Sequence, residues 1–272
     1  AKSHWAKYLG GTPVNDSLLG IKYLITTKDM TDYYGNPIFT PADYGYPEDF
    51  KPGVDDQYDV YYNPYALSFA YGVSEDWKDF DMEAYQDPFE RLNGMITAML
   101  GEEETVRVFL PATQIGDVKT DNIKVGSTVD GEISYKKQNT TSDAYLTYEY
   151  EVPANTEMFI YFPTGYPRML SLSVNGTGNI EFGGSESHRI VSLGESTTEK
   201  MVIKAKMHKD NTSNSFYTYP KDSYVYYIDI DAWQDAMTRL GAIQYRIDDD
   251  STDSHLHGTV TTTAANQLMF TS

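Results

Sequence analysis

The chain of 272 residues carries 21 Lys and Arg against 40 Asp and Glu, a formal charge of −19, and no cysteine. That balance repels nucleic acid and anionic lipid surfaces, and the missing thiols exclude disulfides, thiolate metal sites and a cysteine nucleophile. An apolar fraction of 40% suffices for a core and 24 tyrosines favour strands and wet surfaces, but no run of 18 apolar residues offers a membrane span.

The opening AKSHWAKYLGG lacks the apolar stretch of a secretory signal. Asn15 or Asp16 is expected to cap a short helical turn over residues 17–19, with Gly20 closing it and a strand following at 21–27. Residues 28–57, rich in Asp, Tyr, Pro and Gly, read as a long loop of the functional kind. Strands are expected at 60–62 and 67–73, divided by the turn signal Asn63-Pro64. Asp87-Pro88 starts a helix with Asp as cap and Pro at its first position. Its apolar face is Phe89, Leu92, Ile96, Met99 and Leu100, and Gly101 closes it.

From residue 101 the pattern changes to short strands with turns between them. They are expected at 105–110, 132–135, 144–150, 158–162, 170–174, 189–193, 200–207 and 224–230. Asn175-Gly176 marks a hairpin. Ala144, Leu146, Tyr148 and Tyr150 alternate with Tyr145, Thr147, Glu149 and Glu151, which gives one buried and one wet face. A helix is expected at 231–240, capped by Asp231 and ended by Gly241, then a strand at 242–247. The closing NQLMFTS stops within a strand pattern, which reads as an excised domain. The fold class is α+β, mostly β. A mixed α/β N-terminal part (1–100) packs on a jelly-roll-like β-sandwich (101–230). Residues 231–272 return to the N-terminal part or start a truncated further unit.

Motifs that carry chemistry are sparse. The acidic loop 248–253 with His255 and His257 lacks the spacing of a calcium loop and reads as a solvated turn, so no metal is assigned. Asp55-Asp56 and the glutamates at 102–104 are carboxylate clusters, but a glycosidase needs two carboxylates across a cleft. No GxSxG, HExxH or phosphate-cradling glycine loop occurs, and the five histidines are scattered. No catalytic residue and no cofactor follows. Trp77, Tyr161, Tyr166 and Trp233, with Tyr217 and Tyr219, sit near strand ends or loops, where exposed rings stack on sugars. Packing in the core or its rim is the competing role, because aromatic side chains mostly bury area.

Four segments carry a family resemblance. NDSLLGIKYLI (15–25) resembles the SLLGVKY-hydrophobic signature of the YfhO family of bacterial multi-spanning membrane proteins. YYNPYALSFAYGV (61–73) resembles its Y-x-N-P-x-A-L-P-x-G-F signature, and DPFERLNGMI (87–96) its D-P-F-x-x-Q-N helix start. The run LHGTVTTTAANQLMFTS is similar to the family stretch before an IPYDKGW segment. Order and spacing agree for all four. Ser68 stands where the family has Pro, Ala70-Tyr71 where it has Gly-Phe, and Leu92 where it has Gln.

The resemblance implies a large extracytoplasmic domain of a polytopic protein similar to glycosyltransferases that use polyprenyl-phosphate sugars. Some relatives are implicated in adding sugars to lipoteichoic acid in Gram-positive bacteria. The expected role is therefore to position a cell-envelope glycan or teichoic acid acceptor on the extracellular face of the cytoplasmic membrane. The transferase groups then lie in the protein's own transmembrane region, its expected partner. A basic strip of Lys119, Lys124, Lys136 and Lys137 would offset the net charge toward a polyanion. Two other roles compete: a structural or partner-docking module without a ligand, and a free-standing carbohydrate-active enzyme. Turn and strand chemistry accounts for the motif residues Ser17, Leu18, Gly20, Lys22, Tyr23, Asn63, Pro64, Leu67, Pro88, Phe89 and Asn93, whose expected role is structural.

Overall fold

The structure is a computed structural model that describes residues 11–27, 44–45, 47, 58–68, 70–85, 87–129, 132–161, 169–183, 190–196, 198–207, 215–220, 225–242, 245–247 and 258–260. In chain order, helix α1 (Pro13–Leu18), strands β1 (Tyr23–Thr27) and β2 (Tyr58–Tyr62) and helix α2 (Pro88–Leu100) come first. Next are β3 (Phe109–Pro111), β4 (Thr113–Gln114), β5 (Lys119–Asp121), β6 (Ile123–Val129), β7 (Glu132–Lys137), β8 (Ala144–Glu151) and β9 (Glu157–Tyr161). They are followed by β10 (Met169–Val174), β11 (Thr177–Gly183), β12 (Ile190–Glu195), β13 (Lys200–Met207), β14 (Ser215–Pro220) and β15 (Val225–Ile228). Helix α3 (Ile230–Gly241) and strands β16 (Tyr245–Ile247) and β17 (Gly258–Val260) complete the series. The fold is mostly β, with few helices and antiparallel sheets.

Two compact units emerge. The first holds the described residues within Leu110–Ile228, and the second those within Gly11–Asp29, Thr40–Phe109 and Asp229–Ser272. The first unit is a β-sandwich. Its larger sheet runs β11-β10-β13-β8-β4, with β5 also on β8; a second runs β12-β9-β15-β3, and a third β14-β7-β6. β8 and β13 pair over their whole length, from Lys200 opposite Glu151 to Met207 opposite Ala144. Every second residue of each points inward, so Leu146, Tyr148, Met201 and Ile203 meet Met158, Ile160, Val191 and Val225 in one core. The expected hairpin at Asn175-Gly176 is present. Both residues have positive φ, 50° and 79°, which a two-residue turn between right-twisted strands requires.

In the second unit α2 starts and stops where its sequence signals lie. Asp87 Oδ1 accepts from the N–H groups of Phe89 and Glu90 at 2.8 and 3.2 Å, and Gly101 closes the helix at φ 72°. Four expectations shift. α1 is capped by Thr12, whose hydroxyl accepts from the Asn15 N–H at 3.2 Å, not by Asn15 or Asp16. α3 is capped by Asp229 rather than Asp231, through the Ala232 N–H at 3.0 Å; the preceding strand therefore stops at Ile228. Among the described residues of 67–73 no strand forms; the Leu67 N–H donates to the Ser17 carbonyl and the Ser68 hydroxyl to the Ala70 carbonyl. No strand forms over 105–108 either, because the N–H groups of Val106 and Val108 go to side chains of α2. Of the loop expected at 28–57, residues 28–43, 46 and 48–57 lie outside the described residues.

Candidate functional site

The second unit carries three stacked, half-buried rings. Residues Glu75–Asp79 form a turn of 3-10 helix, capped by Ser74, and Met82–Ala84 form another, capped by Asp81. Trp77, Phe80 and Tyr85 project from this segment. Trp77 and Phe80 stack at 5.4 Å with planes 15° apart, and Phe80 and Tyr85 at 5.6 Å with planes 28° apart. The stack stands on Gly94 of α2. A Cβ there would come within 2.6 Å of the Tyr85 hydroxyl and 3.2 Å of the Phe80 ring, so only glycine lets the rings approach the helix. The segment is fixed at both ends. The Ser74 N–H donates to the Met99 carbonyl at 2.8 Å, and Arg91 Nη2 donates to the Tyr85 carbonyl at 2.5 Å. Phe80 thus stacks with both Trp77 and Tyr85, and Trp77, at one end of the series, is half-buried. Glu75, Asp76, Asp79, Asp81 and Glu83 are exposed along this segment, with Lys78 paired to Glu75 at 2.6 Å.

The other aromatic candidates are placed differently. Trp233 is fully buried on α3. Its ring packs 4.9 Å from Tyr65 and 5.8 Å from Tyr44, both in the same unit, so it is a core anchor with no surface role in stacking. Tyr161 is buried at 7% exposure at the end of β9, where it pairs with Ile190 of β12. Tyr166 and the side chains of Tyr217 and Tyr219 lie outside the described residues, as do the acidic loop at 248–253, Asp55-Asp56 and all five histidines. Glu102 accepts an ion pair from Arg239. Among the described residues no group of His, Cys, Asp and Glu is placed to hold a metal ion.

Several family-motif residues make hydrogen bonds and packing contacts within the second unit. Asn63 is fully buried. Its amide donates to the Ile21 carbonyl at 3.1 Å and the Ser17 hydroxyl at 3.4 Å, while its Oδ1 accepts from the Tyr65 N–H at 2.9 Å. The Asn63 N–H donates to the Lys22 carbonyl at 2.8 Å. Gly20, at φ 69°, leaves room for Leu67, whose carbonyl oxygen would lie 2.8 Å from an added Cβ. The first two signatures are thus one hydrogen-bonded knot, with Ser17 and Leu67 buried, Pro64 exposed at the turn, Leu18 half-buried and Tyr23 leading into β1. The third signature works alike. Pro88 is the first residue of α2 and Phe89 packs 5.1 Å from Phe109. Asn93 accepts from the N–H groups of Val108 and Phe109 at 3.0 and 2.9 Å and donates to the Phe109 carbonyl at 2.8 Å.

The basic strip does not form as expected. Lys137 is buried at 3% exposure opposite Ile123, while Lys124 and Lys136 face each other on the exposed side. Lys119 lies instead on the outer face of the larger sheet, where it and Lys200 donate to Glu149, the latter at 2.7 Å. These bonds, from Lys119 and then Lys200, hold the Glu149 carboxyl at about 2, below its ordinary 4.5. A carboxylate so held stays ionised at neutral pH and cannot supply a proton as a general acid. Sequence reasoning passed over this knot, because both lysines reach Glu149 diagonally: Lys200 is opposite Glu151 and Lys119 opposite Thr147.

A search of the curated proteins gives no match. Solved structures give weak likenesses. TmCBM61 in complex with β-1,4-galactotriose is 15% identical at a TM-score of 0.27, covering 40% of this chain and 86% of that one. A family 35 carbohydrate binding module from Clostridium thermocellum is 12% identical at 0.25, covering 44% and 93%. The exo-β-1,3-galactanase of Phanerochaete chrysosporium with galactose is 14% identical at 0.25, covering 44% and 30%. No described helix is long and apolar enough to cross a membrane. The family pattern described as bacterial membrane protein YfhO matches residues 2–272, and the chain belongs to that family.

Proposed function

We propose that this chain is an extracellular part of a YfhO-family membrane protein and that it holds a cell-envelope glycan, such as a teichoic acid acceptor, for sugar transfer carried out elsewhere in the protein. The stack that ends on Trp77 is the observation that carries the reading. A pyranose presents an apolar face of C–H groups to a flat ring, and a ring fixed by its neighbours loses little entropy on binding. The exposed carboxylates of Asp76, Asp79 and Glu83 lie along the same segment and can accept from sugar hydroxyls. Membership of a membrane-protein family supports a place at the cell envelope.

The test is a titration of the chain with wall glycan fragments, followed by calorimetry. Trp77→Ala is expected to weaken binding at least tenfold, about 1.4 kcal/mol, in a chain that still unfolds cooperatively. No heat of binding at millimolar glycan, or equal affinity of the variant, would sink the proposal.

A further inference from the structure

The ribbon of β1 and β2 turns an uncharged aromatic face to solvent. Tyr23 pairs with Tyr62, Ile25 with Val60 and Thr27 with Tyr58. Opposed residues, and every second residue along a strand, point the same way, so Tyr23, Ile25, Tyr58, Val60 and Tyr62 share one side. Tyr23 is 47% exposed, Ile25 66%, Tyr58 44% and Tyr62 36%, with Val60 buried at the centre. The rings of Tyr23 and Tyr62 lie 5.6 Å apart. Leu19, at the end of α1, is 66% exposed. Five of the eight large apolar side chains exposed among the described residues therefore gather at this ribbon and the turn before it. None of the five residues on that side is charged, in a chain whose charged fraction is 22%.

The size of the patch decides between occupants. A stable dimer buries about 800 Å² per partner. Four partly exposed side chains and Leu19 offer only a few hundred, on the order of an ordinary surface patch. A second copy is therefore not held by this face alone. A bilayer surface needs less, because it accepts a small apolar patch and gives tyrosine hydroxyls water and headgroups to bond. The family to which the chain belongs is one of membrane proteins. We propose that the face bearing Tyr23, Ile25, Tyr58 and Tyr62 rests in the lipid–water interface of a membrane and seats this unit on the bilayer.

The experiment is co-sedimentation of the 272-residue chain with phosphatidylcholine vesicles. The intact chain is expected to partition onto them, and Ile25→Glu with Tyr58→Glu to lower the partition at least tenfold with the melting profile unchanged. Should the double variant unfold, Ile25→Ser at the same exposed position is expected to lower it about threefold. Adding phosphatidylglycerol is expected to weaken binding and salt to restore it, since the charge of −19 is repelled by anionic lipid. No partition of the intact chain, equal partition of folded variants, or a dimer in solution that Ile25→Glu dissolves would overturn the proposal.

Discussion

The sandwich and the helix-bearing unit are held together by different means. In the sandwich the strands satisfy their own backbone groups through long ladders such as β8 with β13. Side chains are left to bury apolar area, and stability is spread over many of them. In the second unit the chain passes through stretches that form no strand, at 63–67 and 105–108. There the backbone groups are met by buried side-chain amides and a hydroxyl: Asn63, Asn93 and Thr97. A buried N–H must find an acceptor wherever it lies. Irregular chain therefore concentrates its stability in a few polar atoms, and regular chain dilutes it.

Asn93→Ala is the most direct way to break that contrast. It leaves the N–H groups of Val108 and Phe109 and the Phe109 carbonyl without their partner. At about 1–2 kcal/mol for each buried group the expected loss is about 4 kcal/mol, read in urea through the fluorescence of buried Trp233. A loss below about 1 kcal/mol would show that the amide is no keystone. Leu146→Ala tests the other side. Leu146 is 1% exposed in the sandwich core, and removal of such a side chain costs about 3 kcal/mol. The two losses should differ in kind. Asn93→Asp, which keeps Oδ1 as acceptor but loses the amide donor, should recover part of the first. The second should be recovered by Leu146→Met, which conserves volume.

The same contrast explains what could be read in advance. The strands β8 and β13 and the hairpin at Asn175-Gly176 were legible because alternation and turn chemistry are local properties. So was α2, bracketed by Asp87-Pro88 and Gly101. The short polar strands β4 and β5 were not, because Lys119–Asp121 is exposed throughout and owes its conformation to its partner β8. Leu67, Val106 and Val108 stand in strand-like sequence but lend their N–H groups to distant partners. No local pattern reveals that. The burial of Trp233 had a signal that went unused: Trp233, Ala236, Met237 and Leu240 recur on one face of α3. Of the candidate site, Trp77 could be named from sequence, but not Gly94, whose value lies in a Cβ it lacks. The third signature was recognisable as a pattern, while the reason for its Asn appeared only in the contacts with Val108 and Phe109.

The smallest expected effect comes from the sandwich's outer face. Glu149 is bound by Lys119 and Lys200 across three strands, but the lysine side chains are 69% and 51% exposed, so water and salt screen the attraction. The sign follows from its titration. The folded carboxyl is held at about 2 against an ordinary 4.5, so the folded state binds its proton less readily than the unfolded chain does. Its stabilising contribution is complete above about 4.5 and is lost as the pH falls through about 2. Glu149→Gln should therefore lower the melting temperature slightly at neutral pH. The gap should close as the pH falls between those values and shrink in molar salt. A gap that persists at pH 2 would mean that Glu149 acts through packing and not through charge. The outer face would then resemble the amide-held unit, with its stability lodged in one side chain.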